Sequence, residues 1–307
     1  MKVLVLLGLA ALACLASSQC NCKTMKWATC DGTPCSCFLL TGTDNFKQSL
    51  NCQKLIPKCF LMQAEMNRAR KGEDTRTIGG KPVESAFVDN DGIYDPVCER
   101  DGKFKAKQCN NTEECWCVNS AGVRRTDKGD KNTINCTELV ETYWIRLELT
   151  HAKVNAKVEE SSLKTAINEA IKTRYNFKVD LVKEIQYDPD AGLIVVDVKK
   201  EKSDRMTDLA TMAYYMEKDV KILPLFEDQE KFAPKVGSQT LNMTNIKIYY
   251  VDEKPPTFTM KNLSGGIIAV IVVVVLAVVI GLLALFFIGR RQKRKYSKTQ
   301  QREMEPM

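Results

Sequence analysis

The residues with the most chemistry to offer are cysteines, thirteen in a chain of 307 residues. Cys14 stands in an apolar N-terminal run, and the other twelve all fall between Cys20 and Cys136. Three pairs have C-x-C spacing: Cys20/Cys22, Cys35/Cys37 and Cys115/Cys117. The last brackets Trp116 and leads into a loop with adjacent arginines, GVRRTDKGD. Thiolates so spaced could clip a metal, run thiol–disulfide exchange, or close structural bridges. C-x-C is not the C-x-x-C of common zinc or thioredoxin-like sites. One histidine, His151, is all the chain has to complete a mixed zinc set. Twelve cysteines in the first half of a chain with export signals read as six disulfides. Small segments of modest apolar content need such staples. The twelve divide into Cys20, Cys22, Cys30, Cys35, Cys37, Cys52 and Cys59, Cys98, Cys109, Cys115, Cys117, Cys136. Six cysteines allow about fifteen pairings, and spacing alone does not choose among them.

Other chemistry is sparse. His151 has no GxSxG or other nucleophile motif to serve. Glu159 and Glu160 sit where a solvated helix start is expected. Gly79-Gly80 lacks the partners of a phosphate-binding loop. DNDGIYD, Asp89 to Asp95, lacks the distal glutamate of a calcium-binding EF-hand and reads as a turn. The chain is thus read as non-enzymatic, with no cofactor and no metal.

Both ends carry topological signals. Lys2, an apolar run, then Ala16 and Ser18 form the layout of a secretory signal peptide, residues 1–18. Gly265 to Ile288 is uncharged and long enough to span a bilayer as a helix. Arg290, Arg291, Lys293, Arg294 and Lys295 follow it, which places the C-terminal side in the cytoplasm. The expected product is a single-pass type I membrane protein. The net charge is +7, but the tail after Gly289 holds seven Lys/Arg against two Glu. With Lys2 removed, the ectodomain is near neutrality, which argues against nucleic acid as a partner. The basic cluster is instead suited to anionic inner-leaflet lipid, at about 1 kcal/mol per basic residue close to the surface. The tail, residues 289–307, is too short to fold alone. Ala277-x-x-x-Gly281 could let two membrane helices approach closely, though ordinary small-residue content is the readier explanation.

The elements that must position these groups lie in the cysteine-free half, residues 137–253. Tyr143, Ile145, Leu147 and Leu149 alternate with polar neighbours, the period of a half-buried strand. Leu163, Ala166, Ile167, Ala170 and Ile171 recur at helical spacing, with Ser161 or Ser162 as a cap. Leu181–Tyr187 and Leu193–Lys199 read as strands around the DPDAG turn. Leu209, Met212, Ala213 and Met216 mark a second helix, and Ile246, Ile248 and Tyr250 a last strand. The order predicts an α+β domain: a βαββαβ-like split sandwich with one antiparallel sheet and helices on one face. Such membrane-proximal domains can resemble the SEA module, which in some proteins cuts itself between glycine and serine. Here Leu193 follows Gly192, so self-cleavage is not expected.

QCN at Gln108–Asn110 followed by CWCV at Cys115–Val118 resembles the thyroglobulin type-1 repeat. GVRRTDKGD, AYYMEKDVK, IYYVDEKPPTFTM and IIAVIVVVV extend the likeness to almost the whole mature chain. It is similar to the epithelial cell adhesion molecule family, which includes trophoblast cell-surface antigen two. The resemblance implies a small disulfide-rich domain at 19–55, a thyroglobulin type-1 domain at 56–136 and a juxtamembrane stalk at 254–264. It implies the pairing Cys20–Cys35, Cys22–Cys52, Cys30–Cys37, Cys59–Cys98, Cys109–Cys115 and Cys117–Cys136, with Trp116 packed over the bridges. It also implies epithelial cell–cell adhesion without calcium, a homodimer formed in cis with a possible trans contact, and association with claudins at lateral contacts. Ectodomain release and intramembrane proteolysis would then free the tail to signal.

Asn110, Asn135 and Asn242 head glycosylation sequons, as does Asn262 close to the membrane. The basic loop from Asn67 to Ser85 is a candidate for a trypsin-like protease, at Arg70-Lys71 or Arg76-Thr77. Two further readings stand beside adhesion. Thyroglobulin type-1 loops near Lys103–Lys107 and Val118–Arg125 could inhibit cathepsin-type proteases, or the chain could be the membrane precursor of a shed ligand.

Overall fold

The computed structural model describes residues 20–42, 44–73, 94–109, 113–154, 158–177, 180–221, 223–259 and 265–303. The signal-peptide run, Gly79-Gly80, most of DNDGIYD, Arg76, Thr77, Asn110 and Asn262 lie outside them. The chain forms two compact units, Met1–Thr257 and Phe258–Met307.

The first unit begins with three short antiparallel strands in the order β1 (Thr29–Asp31), β2 (Ser36–Thr41), β3 (Phe46–Leu50). Helix α1 (Lys58–Arg70) follows. Strands β4 (Lys107–Cys109), β5 (Glu114–Cys117) and β6 (Gly129–Asp130) make a second small sheet. The cysteine-free half supplies β7 (Thr142–His151), α2 (Glu160–Tyr175), β8 (Val182–Asp188), β9 (Leu193–Lys199), α3 (Leu209–Val220) and β12 (Met243–Asp252). A minor hairpin, β10 (Lys235–Val236) and β11 (Gln239–Thr240), precedes the last strand. The sheet order is β12-β7-β9-β8, antiparallel throughout. This is the expected split sandwich.

Period and burial agree on β7, where Ile145, Leu147 and Leu149 are fully buried and their neighbours half-buried. On α2, Leu163, Ile167, Ile171 and Tyr175 form the buried stripe. The helix starts at Glu160, so Ser161 and Ser162 fall inside its first turn and do not cap it. Helix α3 departs more from its sequence stripe. Eleven of its twelve residues are buried, polar Thr211, Lys218 and Asp219 included. The sheet covers one side and α1 the other. Its N-cap is Asp208, whose carboxylate accepts from Thr211 N–H at 2.9 Å.

Five bridges form as the family pairing implies: Cys20–Cys35, Cys30–Cys37, Cys59–Cys98, Cys109–Cys115 and Cys117–Cys136. Cys22–Cys52 does not. Cys52 lies against Cys37, and Cys22 is buried without a bridge. Middle-strand Cys37 faces Cys30 on β1 and Leu50 on β3, two residues before Cys52. Its sulfur therefore stands between two candidates and can bond one.

In the second unit a single helix, α4 (Gly265–Glu303), contains an apolar span at Ala269–Ile288 long enough to cross a membrane. The helix runs on through Arg290–Lys295 into the tail, a segment too short to fold alone. Extending a formed helix fixes one residue per added hydrogen bond, and no proline intervenes before Pro306.

Candidate interaction and processing sites

One of the two loops that the cathepsin-inhibitor alternative would use is packed into the first unit. In Val118–Arg125, Val118, Asn119 and Ala121 are at most 2 % exposed. Gly122 turns the loop at φ +75°, and a Cβ there would come within 2.6 Å of the Phe104 ring. Asn119 bridges in parallel to Val140, and Ser120 N–H donates to Val140 O at 2.8 Å. Lys58 Nζ donates to Ala121 O at 2.7 Å. Asp252, at the end of β12, accepts from Asn119 Nδ2 at 2.9 and 3.1 Å, from Thr142 Oγ1 at 2.7 Å and from Arg125 Nε at 3.0 Å. Burial pushes the Asp252 carboxyl up from its ordinary value, and these donors oppose it. Of the two loops, Lys103–Lys107 presents exposed residues, Lys103 and Lys105.

A second junction joins α1 to α3. Lys218 and Glu65 form an ion pair at 2.5 Å, with Glu65 wholly buried. Tyr215 Oη accepts from Ile56 N–H at 3.2 Å and donates to Thr24 O at 2.9 Å. Lys58 N–H donates to Thr211 Oγ1 at 2.9 Å. One helix thus ties residues from the first sheet, α1 and the linker between them. No sequence period marks Glu65, Lys218 or Tyr215 as partners, since each lies more than a hundred residues from its mate.

A third cluster closes the far end of α2. Arg174 grips Asp219 through Nε at 2.6 Å and a terminal nitrogen at 3.0 Å, and Tyr175 Oη donates to Asp219 at 2.8 Å. Burial pushes both Asp219 and Tyr175 up, as expected for groups removed from water. The cluster holds α2, α3 and the Phe226–Phe232 segment together, Arg174 lying over the Phe226 ring at 4.5 Å.

His151 is buried at the end of β7. Its Nδ1 donates to Ala152 O at 2.7 Å, so Nε2 accepts from Tyr187 Oη at 3.1 Å. No serine or cysteine nucleophile is bonded to it among the described residues. The β8–β9 turn is closed rather than strained open for cleavage: Asp188 accepts from Asp190 and Ala191 N–H, and Gly192 O from His151 N–H at 2.9 Å. Trp116 is buried, with Tyr94 edge-on at 5.4 Å.

The candidate processing sites separate. Arg70 ends α1, and Lys71 is its C-cap in helical conformation. Arg70 donates to Gly42 O at 3.2 Å and pairs with Asp95 at 2.5 Å. Cutting Arg70-Lys71 would require unwinding this turn, and Arg76-Thr77 lies outside the described residues. Asn135 and Asn242 are both exposed. Arg290, Arg291, Lys293, Arg294 and Lys295 lie on the helix that continues from the apolar span.

A stapled region with a thyroglobulin-like loop, an α+β domain and one apolar C-terminal helix fit the class of single-pass membrane proteins with a disulfide-bonded ectodomain. Residues 62–136 match the thyroglobulin type-1 repeat, and residues 142–252 match the family profile described as EPCAM/Trop-2, C-terminal. The chain is 42% identical over 303 residues to the epithelial cell adhesion molecule of Mus musculus, covering 95% of this chain and 92% of that one. It is 43% identical to the Bos taurus epithelial cell adhesion molecule, covering 98% and 95%. Tumor-associated calcium signal transducer 2 of Homo sapiens is 38% identical, covering 98% and 93%. The chain belongs to the EpCAM/Trop-2 family of cell-surface adhesion molecules and signal transducers.

Proposed function

We propose that this chain is an epithelial cell-surface glycoprotein that mediates calcium-independent homophilic adhesion and signals after regulated proteolysis. One observation supports this reading most directly. Among the described residues, groups with chemistry to offer serve structure: eleven bridged or bridge-facing cysteines, His151 on Tyr187, Arg125 on Asp252 and Arg174 on Asp219. What remains for function is surface, in a chain whose relatives are named for adhesion and signal transduction. Self-association in cis or trans, claudins at lateral contacts, inner-leaflet lipid at Arg290–Lys295 and processing proteases are the partners of this reading. No catalytic activity belongs to it.

Cell mixing tests the reading. Non-adherent cells expressing the chain are mixed with labelled non-expressing cells, with and without a calcium chelator. Clusters of expressing cells alone, unaffected by chelation, are expected. Mixed clusters would replace self-recognition with a different ligand, and dispersed cells would remove adhesion as the direct activity. Loss of a glycosidase-sensitive mass on Asn135→Gln and Asn242→Gln checks glycosylation there. Loss of trypsin-like nicking on Arg76→Ala checks the cut.

Cathepsin inhibition is the weaker reading. It needs both loops to enter a cleft, and Val118–Arg125 is buried against Val140 and Asp252.

A further inference from the structure

The family resemblance implies a juxtamembrane stalk at residues 254–264, yet its first residues, with Glu253 before them, are built into the ectodomain. Glu253 N–H donates to Glu141 O at 3.0 Å, and its carboxylate pairs with Arg205 at 2.9 Å. Lys254 pairs with Glu138. The carbonyls of Lys254 and Pro255 accept from one terminal nitrogen of Arg125 at 2.6 and 2.8 Å. Thr257 N–H donates to Arg125 O at 2.8 Å, and Thr257 bridges in parallel to Thr126. Arg125 therefore grips the stalk twice, by its guanidinium at 254 and 255 and by its backbone at 257. The guanidinium is anchored on Asp252, whose carboxylate is itself held by Asn119 and Thr142. Arg125 is 9 % exposed, where hydrogen bonds of a charged donor are strong. Pro255 and Pro256 fix the segment in an extended form that fits this docking at small entropic cost.

We propose that Arg125 is a latch that holds residues 253–257 on the thyroglobulin type-1 loop and sets the rate at which proteases reach the stalk. Added-strand recognition needs backbone N–H and C=O groups free to pair with the binding partner. Here the N–H groups of Glu253 and Thr257 and the C=O groups of Lys254 and Pro255 are already paired within the first unit. The latch also couples the stalk to a bridge. Arg125 N–H donates to Cys117 O at 2.8 Å, and Cys117 N–H to Thr126 Oγ1 at 3.0 Å. Loosening around Cys117–Cys136 would open the stalk from a distance. The cellular consequence rests on the shedding part of the proposed function; the latch itself does not.

The test uses the full chain in lipid nanodiscs, with proteinase K as the probe and amide exchange read by mass spectrometry. Arg125→Ala is expected to raise exchange and cutting within residues 253–257 at least about tenfold, with α2 amides unchanged. Arg205→Ala, which loses the pairs with Glu253 and Glu141 but none of the Arg125 contacts, is the comparison and is expected to change them less than about twofold. Should Arg125→Ala also speed exchange in α2, Arg125→Lys decides. It keeps a charge opposite Asp252 but gives up the carbonyl contacts, and the same stalk-only opening is expected. A stalk cut as fast in the wild type as in Arg125→Ala, or as slowly in Arg125→Lys as in the wild type, overturns the proposal. Neither readout involves cell contact, so failure here leaves adhesion standing, and failed clustering leaves the latch standing.

Discussion

Residues 20–136 and 137–257 solve the same problem in different ways. The first region has strands of two to six residues and closes its folds with bridges. The second has two ten-residue strands, two helices and no cysteine, and its core of Ile145, Leu147, Leu149, Ile194, Val196 and Val198 is fully buried. Cross-links constrain the unfolded chain where apolar burial is short, whereas long alternating strands and amphipathic helices supply the burial themselves. The regions are not independent. Helix α3 is buried on nearly every side because the stapled region covers the face that the sheet leaves open. The cysteine-free domain is thus the platform on which the stapled region is set, fixed by Lys218–Glu65, Tyr215 and Arg125–Asp252.

The comparison breaks first at the buried pair. Lys218→Ala leaves Glu65 charged and uncompensated, and is expected to cost about 3–5 kcal/mol in urea unfolding. The double change Glu65→Leu/Lys218→Met should recover most of it. If tryptophan fluorescence and far-ultraviolet dichroism then report separate transitions in Lys218→Ala, the regions are independent; one shared transition supports a single body. Removing the Cys59–Cys98 bridge, which spans 39 residues, with serines should cost about 2–4 kcal/mol. Amide exchange should rise in α1 well before it rises in β7, and equal loosening in both would contradict the contrast drawn above.

Tyr215→Phe sharpens the junction. It removes an acceptor from Ile56 N–H and a donor to Thr24 O, an expected loss of about 1–2 kcal/mol in thermal melts. A neutral outcome would show that water replaces both bonds. The smallest effect is expected at Asp204. The Thr207 hydroxyl and the amides of Met206 and Thr207 hold its carboxyl below the ordinary value of 3.8. The folded pKa is lowered, so its contribution is present above that value and is lost as pH falls through the folded one. Asp204→Asn should therefore flatten the acid limb of stability against pH, read as urea midpoints from about pH 6 to 2. An unchanged acid limb would mean the loop holds without that charge.

Much of the platform was legible. Alternation gave β7, the DPDAG turn located β8 and β9, and the element order led to the sheet topology. Helix α1 was not legible. Its buried Glu65 and Asn67 interrupt the apolar stripe, and each finds its partner far away, at Lys218 and at Gly42 O. Of the candidate sites, Arg70-Lys71 looked open to cutting by composition, but Arg70 belongs to a helix end tied to Asp95 and Gly42. The Cys22–Cys52 pairing was implied by family likeness; the structure brings Cys52 against Cys37, which also faces Cys30, and leaves Cys22 buried.

By itself the sequence determined the apolar span, the alternating strand β7, the helices α2 and α3 and the confinement of cysteines to one half, because hydrophobicity, period and composition are local properties of the chain. Tertiary structure decided what Arg125, Lys218, Glu65 and Tyr215 do. A charged or phenolic side chain inside the fold takes its role from the group facing it, and here that group lies more than a hundred residues away.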